Sequence, residues 1–421
     1  MPEMLSIDDA VARLASSIHA IEETETVSIA EAFQRVLAHD MYAPVSLPPF
    51  TSSAMDGYAI KSSESGGAGS TFRVIGSSFA GKPFDNPANS VRTAVRIFTG
   101  AEVPAWADTV VLQEDVDREE ETITLKDAPA SGDNIRHIGH DVQKEALLLA
   151  QGTKLGAFDV SWLAACGVAS VDVIRRIRVA LFSTGDELQD PGKRLSPGQI
   201  YDSNRTALKE LLRSKPVEVN DLGRLRDDPV VIEEAISRAS NIVDLIVTSG
   251  GVSVGDADYV RPIVDKLGEL TFWNVALKPG KPLAVGKVER ALFLGLPGNP
   301  VSTIVTYLLF VARAIDALGG MAPANPLTVP AELTKPLRHS KGRREYQRGV
   351  LSRDGNRLCV RPTGDQSSNR LATMAVANCL ILVPETEDSI EKGEVVDVLL
   401  LPNEAHHVVN NPIETLLREA S

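Results

Sequence analysis

Apolar residues recur along this chain in more than one rhythm, and the changes of rhythm divide it. Behind Ser6, residues Ile7, Val11, Leu14, Ile18 and Ile21 fall at helical spacing on one face. Ser28-x-x-Glu31 is a capping-box pattern and predicts a second short helix reaching Leu37. From Ala43 the pattern changes, because Pro44, Pro48 and Pro49 stop helix formation. Short strand-like runs follow at Met55–Ile60, Thr71–Ser77, Val95–Thr99, Thr109–Glu114 and Thr122–Lys126. Residues 45–140 therefore read as a small β-rich domain. Helical segments on both sides, the later one at Leu155–Cys166, imply that it is inserted into another domain.

Beyond Arg178, strand and helix patterns alternate. Strand Arg178–Phe182 precedes helix Thr206–Leu212, and strand Val217–Leu222 precedes helix Val230–Ala239. The β-branched run Ile242–Val247 reads as a buried strand. It breaks into Ser249-Gly250-Gly251-Val252-Ser253-Val254-Gly255-Asp256 before a helix at Tyr259–Leu267. Phe272–Leu277 and Ala291–Leu294 are further strands, and the long helix Val301–Leu318 closes the unit. Arg313 and Asp316 make that last run a buried helix of a globular domain rather than a membrane span. Such alternation predicts a doubly wound, mostly parallel sheet with helices on both faces. From Leu327 the pattern returns to strands, which predicts a small barrel or sandwich over residues 326–405. The fold class is thus multi-domain, α/β plus β.

Ligands of open α/β sheets lie beyond the carboxyl ends of the strands. Five segments follow strands here: Ser183–Glu187, Gly223–Asp228, the Gly-rich stretch from Ser249, Lys278–Pro282 and Gly295–Pro300. The Gly-rich stretch, set between a strand and a helix start, is a ready anion site. It has no Gly-Lys-Ser/Thr and is not a Walker loop. Asn299 and Pro300 open the longest helix as cap and first residue, a second anion seat. Lys278 and Lys281 flank a Pro-Gly turn and suit an oxyanion. Asp56, Asp141, Asp186, Glu187, Asp227 and Asp258 lie beside glycines or in turns. Converging, they would bind Mg²⁺ through oxygen ligands; singly, each reads first as a turn former or helix cap.

The charge balance changes the list of partners. Lys and Arg number 43 against 56 Asp and Glu, a net −13, which argues against nucleic acid and against an anionic membrane surface. Cys166, Cys359 and Cys379 form no CxxC and read as reduced, buried thiols of an intracellular protein. The N-terminus shows no signal-peptide pattern. The seven histidines form no zinc motif, and no Ser/His/Asp logic or nucleophile elbow is present.

Taken together, these motifs resemble one family. Pro48-Pro49-Phe50, Ser53-Ala54-Met55-Asp56-Gly57-Tyr58-Ala59, Thr99-Gly100-Ala101, Asp108-Thr109-Val110-Val111, Ser249–Gly255, Lys278–Pro282 and Gly295–Ser302 are similar to those of MoeA, the molybdopterin molybdenumtransferases. Gephyrin's E domain and its plant counterpart are eukaryotic relatives. Thr51-Ser52 departs from the Asp-Asn more usual there. The resemblance spans nearly the whole chain and implies four domains. These are a discontinuous first domain at 24–44 and 141–170, the inserted domain at 45–140, a molybdopterin-binding α/β domain at 5–23 and 171–325, and a β-barrel at 326–405.

It further implies a cytoplasmic homodimer whose active site lies between the α/β domain of one chain and the inserted domain of its mate. The implied reaction consumes adenylylated molybdopterin and molybdate and releases AMP with Mg²⁺. Carried over by motif, Asp56, Thr99, Asp141, Glu187 and Asp258 would be catalytic, and Glu187, Asp227 and Asp258 would hold the metal. Ser249, Gly250, Gly251, Ser253, Gly255, Asp256, Lys278, Lys281, Pro297, Gly298 and Pro300 would bind substrate, with Arg348, Ser367 and Ser368 contributing from the last domain. The adenylyltransferase that makes the substrate is an implied partner. Two other readings are an adenylyltransferase-like nucleotide enzyme and a gephyrin-like scaffold. The inserted and last domains argue against the first, and the lack of a long linker and second module against the other.

Overall fold

The structure, a computed structural model, describes residues 4–86, 90–252, 259–321 and 326–402. The chain forms two compact units: Thr26–Phe33 with Leu37–Val173, and the segment up to Glu25 with Gln34–Val36 and everything from Ile174.

In the first of these units a six-stranded sheet runs in the order Thr109–Leu112, Gly57–Ile60, Thr93–Ile97, Thr71–Ser78, Thr122–Leu125, Val116–Glu119. Successive side chains of one strand point to opposite faces, so Tyr58 and Ile60 enter one core with Phe72 and Ile123. Ala59 enters another with Val95, Ile97 and Val110. Gly57 is required by the strand beside it: a Cβ there would stand 2.0 Å from the Val111 carbonyl oxygen. A separate apolar cluster, including Leu37, Val142, Leu155 and Leu163, gathers the short pair Met41–Tyr42 and Leu147–Leu149 around helix Ala157–Ala165. The expected helix after Ser28 is only one 3₁₀ turn, Ile29–Glu31. Ser28 Oγ bonds the Glu31 carboxylate instead of a backbone N–H, and Gln34 at φ 65° turns the chain away.

The other unit holds the α/β sheet, in the order Val217–Leu225, Ile177–Thr184, Leu245–Ser249, Ala291–Leu296, Ala284–Val288, Gly268–Trp273. The first four strands are parallel and the last two antiparallel. Helices Ile7–Ser16, Ser203–Arg213 and Pro300–Thr306 bury Leu14, Leu208, Leu212, Val301 and Val305 on one face. Helices Pro229–Ser240 and Val260–Leu267 bury Ile232, Ile236, Ile263 and Val264 on the other. The sheet is therefore doubly wound and mostly parallel. The apolar helix from Pro300 widens to π geometry at Tyr307–Val311 and continues to Leu318. It is long and apolar enough to cross a membrane, yet 67% of it is buried in this core.

Two details depart from the sequence pattern. The expected strand Phe272–Leu277 ends at Trp273, because Asn274 takes φ 72°. Ala284–Val288 is an added strand. Its Gly286 admits the neighbouring backbone, where a Cβ would lie 2.5 Å from the Glu269 carbonyl oxygen.

Strands Arg344–Asp354, Arg357–Pro362, Thr328–Leu333, Val395–Leu400 and Cys379–Val383 form the last domain. Pairing of the first with the last closes them into a five-stranded barrel. Its interior holds Leu333, Val360, Cys379, Ile381 and Val398. Burial pushes the Cys379 thiol up to about 12, so it is an inert core residue.

Candidate active site

A cleft of about 330 Å³ opens at the carboxyl ends of the parallel strands. Four of the five strand-end segments line it: Thr184, Gly185, Glu187 and Leu188; Asp227; Ser249 to Val252; and Pro297 with Gly298. Gly250 and Gly251 take φ of 95° and 71°, consecutive left-handed residues that fold the turn back over the sheet edge. The Gly250 N–H donates to the Leu296 carbonyl at 3.1 Å, tying this turn to the next strand.

Two carboxylates enter from adjacent loops. Gly185 makes room for Glu187: a Cβ at 185 would be 2.6 Å from the Glu187 carboxylate. The Asp186 N–H donates to the Asp227 carboxylate at 3.3 Å, and the Asp227 N–H to the Asp186 carboxylate at 3.4 Å. This exchange fixes the Asp227 loop against the Glu187 loop.

Asn204 is the lining residue that the strand-end pattern omits. It stands at the second position of helix Ser203–Arg213. That helix is capped by Asp202, which accepts the Arg205 N–H at 3.0 Å and the Ser183 hydroxyl. Arg205 in turn grips Asp221 at 2.9 Å. So anchored, the Asn204 amide donates to Ser249 Oγ at 2.8 Å and to the Gly298 carbonyl at 2.7 Å. The signal for it is Asp202-Ser203-Asn204 directly after a strand end, which reads equally as a plain helix cap.

The helix start at Pro300 is not an open anion seat. Asn299 occupies the cap position, but its side chain makes no cap bond, and the Val301 N–H donates to the Ser368 carbonyl at 3.1 Å. Ser368 follows a loop clamped by Arg348, whose guanidinium donates to the carbonyls of Asp365, Gln366 and Ser367. Arg348 is fully buried, which pushes its pKa down to about 10. It holds the barrel loop against the helix start.

Lys278 and Lys281 are not among the residues lining the cleft. Lys278 Nζ lies 3.1 Å from the buried Glu345 carboxylate of the barrel, which also meets His339 Nδ1 at 2.6 Å. Lys281 is exposed. Ser253, Gly255, Asp256 and Asp258 lie outside the described residues.

Asp56, Thr99 and Asp141 belong to the other compact unit. Asp56 Oδ1 accepts both the Thr99 N–H, at 2.8 Å, and its hydroxyl, at 2.7 Å. These two bonds hold the Asp56 carboxyl below the usual carboxylate range, and the Arg96 charge acts the same way. Arg96 is fixed between the rings of Tyr58 and Phe98, 5.0 and 4.9 Å from their centroids. Asp141 is exposed, with its N–H on the Leu47 carbonyl at 2.9 Å.

Comparison with known proteins places this arrangement. Residues 5–167 match the MoeA N-terminal region (domain I and II), 180–317 the probable molybdopterin binding domain, and 330–401 the MoeA C-terminal region (domain IV). A molybdopterin molybdenumtransferase of Haemophilus influenzae is 40% identical over 398 residues, covering 94% of this chain and 98% of that protein. The chain belongs to the MoeA family. A gephyrin of Dictyostelium discoideum is 31% identical over 450 residues, covering 94% of this chain and 62% of its own length. The crystal structure of a molybdopterin biosynthesis MoeA protein from Pyrococcus horikoshii has a TM-score of 0.81 at 29% identity, covering 95% of this chain and all of that one.

For a MoeA-family cleft the metal question is one of donor chemistry. Among the described residues no group of three or more His, Cys, Asp or Glu side chains has metal-holding geometry. Glu187 and Asp227 do line one cleft together, and Mg²⁺ commonly takes only one or two carboxylates, keeping water and substrate phosphate as its other ligands. The residues present fit such an ion.

Proposed function

We propose that this transferase of molybdenum cofactor biosynthesis inserts molybdate into adenylylated molybdopterin and releases AMP, with Mg²⁺. The observation that carries the reading is the convergence of two carboxylates, a left-handed glycine turn and an Asn–Ser hydrogen-bond pair on one cleft at the strand ends. An adenylylated substrate brings a phosphoanhydride, and each part of that cleft has work to do on it.

The Gly250–Gly251 turn lets the backbone approach the phosphates closely, and Asn204 and Ser249 keep the turn and the 297–298 loop at a fixed separation. Glu187 and Asp227 would hold Mg²⁺, which when bound supplies charge stabilisation on the anhydride oxygens. Asp56, held ionised by Thr99, is a second acidic element of the reaction. Lys278, paired with Glu345, is a candidate for holding the molybdate dianion. We read the working protein as a cytoplasmic homodimer that receives its substrate from the molybdopterin adenylyltransferase.

Incubating the protein with adenylylated molybdopterin, Mg²⁺ and molybdate tests this. AMP appears on the proposed reading; substrate left intact by folded protein contradicts it.

A further inference from the structure

A buried carboxylate of the barrel stands behind the Lys278 ammonium. The Glu345 side chain is 2% exposed, and its Oε2 atom meets both Lys278 Nζ, at 3.1 Å, and His339 Nδ1, at 2.6 Å. A carboxylate only accepts, so His339 carries a hydrogen on Nδ1 and donates it. The His339 side chain is fully buried, and its Nε2 atom has no hydrogen-bond partner. A second hydrogen there would be a buried donor without an acceptor. His339 is thus a neutral donor that orients the carboxylate and leaves its charge to Lys278. Lys278 differs from both partners, because 34% of its side chain is open to solvent.

The backbone on each side of this contact is fixed. The short strand Leu277–Lys278 lies parallel to Arg344–Glu345, and the Arg344 N–H donates to the Ala276 carbonyl at 3.0 Å. The Val275 N–H donates to the Lys281 carbonyl at 3.0 Å, and Gly280 sits against helix Pro300–Thr306, where a Cβ would be 2.8 Å from the Thr306 methyl. On the barrel side, the His339 N–H donates to the Asp388 carbonyl at 2.9 Å, and the Gln347 amide to the Arg338 carbonyl at 3.0 Å. What remains free at Lys278 is a flexible four-carbon stem, whose ordering on ligand binding costs conformational entropy. The contact with Glu345 meets that cost before any ligand arrives. An ammonium has three donors, so a bond to Glu345 leaves others for an anion.

We propose that His339 and Glu345 are positioning residues for molybdate: His339 fixes the Glu345 carboxylate, and the carboxylate fixes the Lys278 ammonium that receives the dianion. This rests on the reading of Lys278 as a molybdate-holding cation and adds two residues that touch no substrate. The barrel thereby sets the molybdate affinity of a lysine that belongs to the α/β domain.

The test measures AMP release by the full-length protein from adenylylated molybdopterin with Mg²⁺, as a function of molybdate and of the pterin substrate, alongside thermal unfolding. His339→Leu removes the orienting donor without changing charge. It is expected to raise the half-saturating molybdate concentration roughly fivefold, the effect of re-ordering one long side chain on binding, and to leave kcat and the KM for adenylylated molybdopterin unchanged. His339→Asn, which returns a donor near the Nδ1 position, is expected to restore the molybdate dependence. Glu345→Asp keeps the charge but draws it back by one methylene, and is expected to raise half-saturating molybdate as well; it decides the matter if His339→Leu does not fold. Unchanged half-saturation in the folded variants, with Lys278→Met raising it, would overturn the proposal and leave the reading of Lys278 standing. Equal losses in kcat or in the KM for the pterin substrate would overturn it too, by showing a general loosening of the barrel. Molybdate dependence unchanged in Lys278→Met would overturn both the proposal and the reading beneath it.

Discussion

Asn204 donates to the Ser249 hydroxyl at 2.8 Å, and its second amide hydrogen reaches the Gly298 carbonyl at 2.7 Å. One side chain on a helix thus spans two strand-end loops, which also meet directly where the Ser249 hydroxyl donates to the Pro297 carbonyl at 3.3 Å. Replacing it by alanine removes both bonds, leaving the Ser249 hydroxyl only its bond to the Pro297 carbonyl and the Gly298 carbonyl to water. Asn204→Ala is expected to lower stability by about 1 kcal/mol, since the site is only partly buried. It is expected to lower kcat/KM for the adenylylated substrate at least about tenfold, because the two loops lose their fixed spacing. Chemical denaturation and initial-rate kinetics on the same preparation check both numbers.

Two glycines of the cleft should respond oppositely to alanine. Gly250 has φ 95°, and a Cβ there would lie 2.7 Å from the Thr184 carbonyl oxygen. Gly298 has no such φ, and its Cβ would meet nothing closer than 3.9 Å. Gly250→Ala is expected to destabilise by about 2 kcal/mol and to lose AMP binding. Gly298→Ala should stay within about 0.5 kcal/mol of wild type. Equal stability of the two variants would remove the steric argument for the turn.

Thr99 sets the charge state of Asp56. With its carboxyl held below the usual range, Asp56 stays ionised as the pH falls past the ordinary carboxylate pKa. Thr99→Val deletes the hydroxyl donor and keeps the backbone one. The Asp56 pKa then rises towards its ordinary value, so the ionised form is lost at a higher pH. The acid limb of the pH–rate profile is expected to move to higher pH in Thr99→Val, and an unmoved limb would remove Asp56 from the reaction.

Much of this cleft was legible in the sequence because turn chemistry is local. Gly250, Gly251, Pro297 and Gly298 announce strand-end loops, and Glu187 and Asp227 sit in such loops. Asn204 did not stand out. Within its own segment it is an ordinary residue of a capped helix, and its role exists only because two other loops arrive beside it. Lys278 is the converse case. Two lysines around Pro-Gly read as a cation pair facing ligand, but Lys278 meets Glu345, a residue with no distinguishing context in its own strand. Strand Ala284–Val288 was hidden for a similar reason. Gly286 weakens its β pattern and is needed only because another backbone crosses there.

Stability at low pH should follow Asp244. Burial opposes its ionisation, but two hydrogen bonds from Arg175 and one from the Arg178 N–H prevail and hold its pKa below the ordinary value. A depressed folded-state pKa contributes stability above the unfolded pKa, and this is lost as pH falls through the folded one. Asp244→Asn is expected to cost about 3 kcal/mol at neutral pH, leaving the Arg175 guanidinium half-buried with Glu23 as its remaining acidic partner. The variant should also lose stability less steeply below about pH 4 than wild type. Urea midpoints measured from neutral to acid pH would show whether the two curves converge.

The central claim is that the protein couples cleavage of the anhydride to insertion of the metal. It is tested most directly by measuring AMP and pterin-bound molybdenum in the same reaction, with Mg²⁺, with and without molybdate. The account predicts AMP release that requires molybdate and matches molybdenum incorporation mole for mole. Release at the same rate without molybdate, or incorporation with no AMP, would contradict it.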